Sequence, residues 1–139
     1  MKKTALINAE LSHLVATLGH TDEYTICDAG LPIPSATQRI DLALTYGVPG
    51  FLETVKTVLS ESQIEGVILA EEFPKTSPEC FEQFMVLLNA EEQSKGKPIT
   101  ITYLPHEAFK ARTHQSRAVI RTGECTAYAN VIFQAGVVF

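Results

Sequence analysis

Four histidines stand in this chain of 139 residues, and imidazole is the one side chain that both gives and takes protons near neutral pH without being perturbed. His20 has the most suggestive surroundings. It lies in Gly19-His20-Thr21-Asp22, behind a glycine that permits close backbone approach. Further on, Asp28 opens Asp28-Ala29-Gly30-Leu31-Pro32-Ile33-Pro34, a loop stiffened by prolines and able to hold a ligand. An imidazole and a carboxylate together suit acid/base work on a bound polar molecule. Spacing alone leaves the plainer readings open: an exposed histidine, and an aspartate serving an ordinary turn.

His106 follows Pro105 at a predicted helix start, where it either faces a ligand or is simply exposed. Tyr128 and Asn130, flanking Ala129, carry hydrogen-bonding groups suited to a polyhydroxylated ligand, and the tyrosine ring can pack on a sugar's C–H face. A tyrosine half-buried at a strand edge is the competing reading. Glu71-Glu72 resembles a carboxylate pair, but neighbours at a strand end point to opposite faces and make no acid/base couple. His13 falls off the apolar stripe of its helix, and His114 sits in a polar run. Neither is expected to act.

Sharper signatures are missing. The chain has no GxGxxG after a strand, no GxxxxGK[ST], no HExxH and no GxSxG. A metal site built on His20, Cys27 and Cys125 lacks any recognisable ligand spacing, so no metal is expected. The three cysteines are an odd number without a CxxC pair and read as free thiols in a reducing cytoplasm. With 11 Lys+Arg against 16 Asp+Glu, scattered along the chain, no basic face is available for nucleic acid. The apolar stretch after Met1-Lys2-Lys3 ends by Asn8, short for a signal peptide, and no run approaches the ~20 apolar residues of a membrane span. Neither membrane nor nucleic acid is an expected partner, and the expected location is cytoplasmic.

These residues need elements to hold them. At 45% hydrophobic and 19% charged the composition suits a compact fold, and no linker or repeat divides it, so residues 1–139 read as one domain. Apolar periodicity predicts a helix over Ala9–Leu18 with Asn8 as N-cap and Gly19 as C-cap glycine. It predicts further helices over Phe51–Ser60, from Ser77-Pro78 to about Gln93, and over Pro105–Arg112, with Ser77 as an N-cap. Strands are predicted at Glu23–Asp28, Arg39–Leu44, Gly66–Ala70, Ile99–Tyr103, Ala118–Arg121 and Val131–Val138. Interleaved helices and strands predict an α/β fold, a three-layer α/β/α domain around a mixed sheet of about six strands. Strand order is not legible at this level.

Several of these segments together resemble one family. Gly19-His20-Thr21-Asp22, Cys27-Asp28-Ala29-Gly30-Leu31-Pro32-Ile33-Pro34, Arg39-Ile40-Asp41-Leu42-Ala43-Leu44 and Gly47-Val48-Pro49 are similar to the RbsD/FucU sugar mutarotases. So are Ala118-Val119-Ile120-Arg121-Thr122-Gly123-Glu124-Cys125 and Tyr128-Ala129-Asn130, in the same order and across essentially the whole length. Ala29-Gly30-Leu31-Pro32 and Tyr128-Ala129-Asn130 follow the ribose type rather than the fucose type; Pro74–Lys97 is less distinctive. The resemblance implies an isomerase that interconverts the pyranose and furanose forms of D-ribose without metal or organic cofactor. It implies His20 as proton donor, and sugar binding by Asp28, His106 and the Tyr128, Ala129, Asn130 segment. It also implies a ring-shaped homo-oligomer, a pentamer that can stack into a decamer, with sites near subunit contacts. A non-catalytic ribose-binding accessory protein for uptake or sensing is the alternative reading.

Overall fold

The computed structural model describes all residues from Met1 to Phe139. Its framework is one six-stranded sheet, formed by β1 (Glu23–Cys27), β2 (Arg39–Asp41), β3 (Ile64–Ala70), β4 (Thr100–Leu104), β5 (Val119–Arg121) and β6 (Val131–Ala135). The strand order is β2-β5-β1-β6-β3-β4. β6 runs antiparallel to both of its neighbours, β1 and β3, while the other pairings are parallel. The sheet is therefore mixed, as expected, with one reversed strand near its centre.

Alternation along the strands sends side chains to two separate cores. Tyr24, Ile26, Val67, Leu69, Ile120, Val131 and Phe133 point into the larger core, which also takes apolar residues from α1 (Ala9–Thr17), α2 (Phe51–Leu59) and α4 (Pro78–Lys95). Cys27, Ala70, Val119 and Ile132 point the other way, into a smaller core closed by Phe109 of α5 (His106–Arg112) and by Leu31. The layers are thus α/β/α but unequal. No helix is long and apolar enough to cross a membrane.

Several local expectations change. Asn8 does cap α1, its side-chain oxygen accepting from the Leu11 N–H at 3.0 Å. Gly19 is no left-handed cap: Leu18 ends α1 in an extended conformation, and the positive φ of 70° falls on Thr21. Ser77 does not cap α4; its hydroxyl donates instead to the Ala127 carbonyl at 2.7 Å, across to the segment carrying Tyr128. The strand at Arg39–Leu44 stops at Asp41, whose carboxylate accepts from the Ala43 N–H and turns the chain. A short helix, α3 (Phe73–Thr76), also lies between β3 and α4.

Candidate active site

All five mutually parallel strands end on the same side of the sheet, where loops at carboxyl ends gather ligands in α/β folds. β6 starts there. That edge therefore receives Asp28 after β1, Glu72 after β3, His106 after β4, and Tyr128, Ala129 and Asn130 before β6.

Asp28 and Asn130 lock this edge together. The Asp28 N–H donates to Asn130 Oδ1 and Asn130 Nδ2 donates back to Asp28 Oδ2, both at 2.8 Å. Asn130 is buried, so its amide has one orientation that satisfies both bonds. Asp28 Oδ1 accepts from the Gly30 N–H at 2.9 Å, which folds the loop back on itself. The carboxylate keeps lone pairs for sugar-type hydroxyls, and its direction is fixed before any ligand arrives.

The segment from Thr126 to Asn130 is a tight turn: Ala129 N–H donates to the Thr126 carbonyl and Asn130 N–H to the Tyr128 carbonyl. Tyr128 pays a φ of 61° for this geometry, and its ring meets the His106 ring edge-on at 4.9 Å. Ala129 is fully buried and contributes main chain rather than side chain. His106 begins α5, and its N–H donates to both oxygens of Glu72 at 3.2 and 3.1 Å. Its Nδ1 is buried without a partner inside the chain. An orphaned buried ring nitrogen beside a fixed carboxylate and a tyrosine ring is suited to taking a ligand hydroxyl.

Two further side chains stiffen the loops. Arg121 Nε donates to the Ala29 carbonyl at 3.0 Å while its Nη1 reaches both oxygens of Asp41. Glu124 accepts from the N–H groups of Phe51, Cys125 and Thr126 and from the Thr126 hydroxyl. Burial alone would raise its carboxyl, yet those donors hold it below the usual carboxylate range. Cys27, next to Asp28, is no nucleophile: burial first, then the Asp28 charge, pushes its thiol up to about 12.

His20 stands apart. It precedes β1 whereas Asp28 follows it, so the five residues of that strand separate them by about 16 Å at ~3.3 Å per residue. The structure therefore gathers Asp28, His106, Tyr128, Ala129 and Asn130 at one edge and leaves His20 at the opposite edge, where its Nε2 lies 2.9 Å from Glu65 Oε2. The expected sharing of a pocket does not occur within one chain. Glu65, Arg121 and Glu124 have no spacing that singles them out. Glu72 was visible as half of Glu71-Glu72, but its bond spans 34 residues and has no local signal.

The sequence matches the RbsD / FucU transport protein family over residues 1–138. The chain belongs to the RbsD / FucU family. Relatives within it include the D-ribose pyranase of Vibrio cholerae serotype O1, 71% identical over 139 residues and all of both chains. The D-ribose pyranase of Aliivibrio salmonicida is 64% identical over the same full span. Among solved structures of RbsD / FucU proteins, Bacillus subtilis RbsD complexed with D-ribose is 42% identical, covers 100% of both chains and superposes with a TM-score of 0.89. The fucose mutarotase of Streptococcus pneumoniae in complex with L-fucose, at 22% identity and a TM-score of 0.83 over all of both chains, shares the fold.

Proposed function

We propose that this chain is a D-ribose pyranase, an isomerase acting as one mutarotase domain in the cytoplasm. The observation that carries this reading is the full-length identity of 64% and 71% to D-ribose pyranases. The prearranged Asp28–Asn130 pair and the orphaned Nδ1 of His106 supply polar groups for a sugar.

The reaction breaks the bond between C1 and the C5 oxygen of ribopyranose and later joins C1 to the C4 oxygen. Opening places a proton on the C5 oxygen and removes one from the C1 hydroxyl, giving the open aldehyde. Closing takes the proton from the C4 hydroxyl and returns one to the C1 oxygen. Protons balance, and a positioned acid/base group contributing about 10²–10⁴ in rate suffices because the uncatalysed process already runs in water. His20 is that group. Asp28, His106 and the Tyr128, Ala129, Asn130 turn hold the sugar.

With His20 as the acid/base group, its separation from the binding edge calls for a second chain to complete the site. A neighbour placing its His20 end on this chain's Asp28 end makes a head-to-tail contact, and repetition of such a contact closes a ring. A ring-shaped homo-oligomer, a pentamer or a pair of stacked pentamers, fits this demand. Apolar side chains are exposed at both ends: Leu44, Tyr46 and Val48 beyond β2, and Val138 and Phe139 beyond β6. A hollow of about 500 Å³ on the lone chain is lined by Ser77, Cys80 and Glu124 rather than by Asp28 and His106.

Exchange NMR on D-ribose and L-fucose side by side tests the reading. Wild-type protein is expected to speed pyranose–furanose exchange of ribose, and folded His20→Ala is expected to lose about a hundredfold or more. The family's description as transport proteins keeps a second reading, a ribose-binding accessory protein for uptake or sensing. Ribose affinity without any acceleration of exchange would establish that one instead.

A further inference from the structure

We propose that Glu65 is the positioning residue for His20, fixing its imidazole with the proton on Nε2 and leaving Nδ1 as the atom that exchanges protons with the sugar; this rests on the pyranase reading.

The contact is Nε2 to Glu65 Oε2 at 2.9 Å. An ionised carboxylate only accepts, so the neutral ring must carry its hydrogen on Nε2 when this bond forms. Nδ1 then holds the free lone pair. It takes the proton of the C1 hydroxyl, the ring becomes imidazolium, and the same nitrogen returns the proton to the ring oxygen. Glu65 stays ionised and faces the positive charge, the role that an orienting carboxylate plays behind a catalytic histidine.

Surface ion pairs are common and mostly inert, so a contact between side chains 55% and 39% exposed would not carry this alone. The backbone supplies the independent argument. Ile64 pairs with Ala135 and Gly66 pairs with Gln134, which leaves Glu65 as an extra residue in β3, a bulge against β6. Bulges re-aim a side chain out of the strand's alternation. On the other side, the turn Gly19–Asp22 closes through the Asp22 N–H to the Gly19 carbonyl, with Thr21 at φ 70°. A β-branched residue is a poor choice for that conformation, and such strain collects at functional sites.

Both irregularities hang on one residue. The Thr21 N–H donates to the Ala135 carbonyl at 2.9 Å, and the Ala135 N–H donates to the Asp22 carbonyl at 2.8 Å. Ala135 is also the partner of Ile64 beside the bulge. Gly136 follows, where a Cβ would lie 3.2 Å from the Ile64 main chain and 3.3 Å from both main chain and side chain of Glu65, so the chain passes close against the bulge there. Asp22 completes the support. Its carboxylate accepts from the Gly19 N–H at 2.8 Å and pairs with Arg117 at 3.1 Å, and these contacts, the Gly19 bond foremost, hold it below the usual range. A bulge, a strained turn and a glycine crossing thus converge on bringing one carboxylate to one imidazole nitrogen.

The test is ¹⁵N NMR of the His20 ring together with ribose exchange kinetics, on wild type, Glu65→Gln and Glu65→Ala. Wild type is expected to show His20 as the Nε2–H tautomer. Glu65→Ala is expected to mix the tautomers, while Glu65→Gln keeps an acceptor and most of the Nε2–H form. Both variants are expected to lose kcat by about tenfold or more with KM within about twofold of wild type, because the sugar-holding groups are untouched. An unchanged ring spectrum in Glu65→Ala, or a loss confined to KM, overturns the assignment. A wild type that shows the Nε2–H tautomer but no exchange activity overturns the pyranase reading and not the Glu65 contact.

Discussion

Asp28 shows how one residue's contacts set a prediction. Its two oxygens accept from the Gly30 N–H and from Asn130 Nδ2, and its own N–H is received by Asn130 Oδ1. Asp28→Asn turns one acceptor into a donor and leaves two N–H groups facing each other, a loss of about 1–2 kcal/mol in stability. Thermal unfolding should register it, and exchange kinetics should show a raised KM with kcat at saturation little changed. A collapse of kcat at saturating ribose would instead place Asp28 in the proton transfers. At this scale the sequence exposed the residues lying in recognisable loops: His20, Asp28, His106, Tyr128 and Asn130. It hid the carboxylates that bond across long stretches of chain. Glu65 reaches His20 across 45 residues and Glu124 reaches Phe51 across 73, distances over which no spacing rule operates.

At the scale of elements, Glu124 ties the start of α2 to the turn leading into Tyr128. Its carboxyl is held below its ordinary value despite the opposing effect of burial. A lowered folded-state pKa contributes stability that is present above the unfolded value near ~4.3 and lost as pH falls through the folded one. The melting temperature of wild type should therefore drop more steeply below about pH 4.5 than that of Glu124→Gln, which has no proton to gain there. Parallel profiles would contradict the assignment. Gly123 makes a second prediction: a Cβ there would lie 2.4 Å from the Thr45 carbonyl oxygen and 2.5 Å from that of Val48. Gly123→Ala should cost about 1–3 kcal/mol, measured by denaturant unfolding, since main chain rather than a flexible side chain must yield. Periodicity revealed the long helices and the strands because their burial repeats locally. It failed at Gly19, Ser77 and residues 42–44, where a distant partner or a side-chain turn decides, and at α3, too short at Phe73–Thr76 to show a period.

At the scale of the whole molecule, the mixed α/β/α architecture follows from the interleaving of elements, while the order β2-β5-β1-β6-β3-β4 does not. Pairing of β1 with β5 and β6 joins residues about a hundred positions apart and is settled by packing. That order has the functional consequence: reversed β6 puts Asn130 beside Asp28 and sends its far end to Ala135, next to His20 and Glu65. On the proposed reading, His20 at one edge and Asp28 with His106 at the other are two halves of a site that neighbouring chains complete. The most direct measurement is ribose exchange NMR on rings co-expressed from His20→Ala and His106→Ala chains in equal amounts, against each variant alone. If a site takes His20 from one chain and His106 from the next, each variant alone is nearly inactive, and a random mixture restores about a quarter of wild-type activity, since one contact in four joins two intact halves. Mixed rings no more active than their parents would contradict the shared site and with it this account of catalysis.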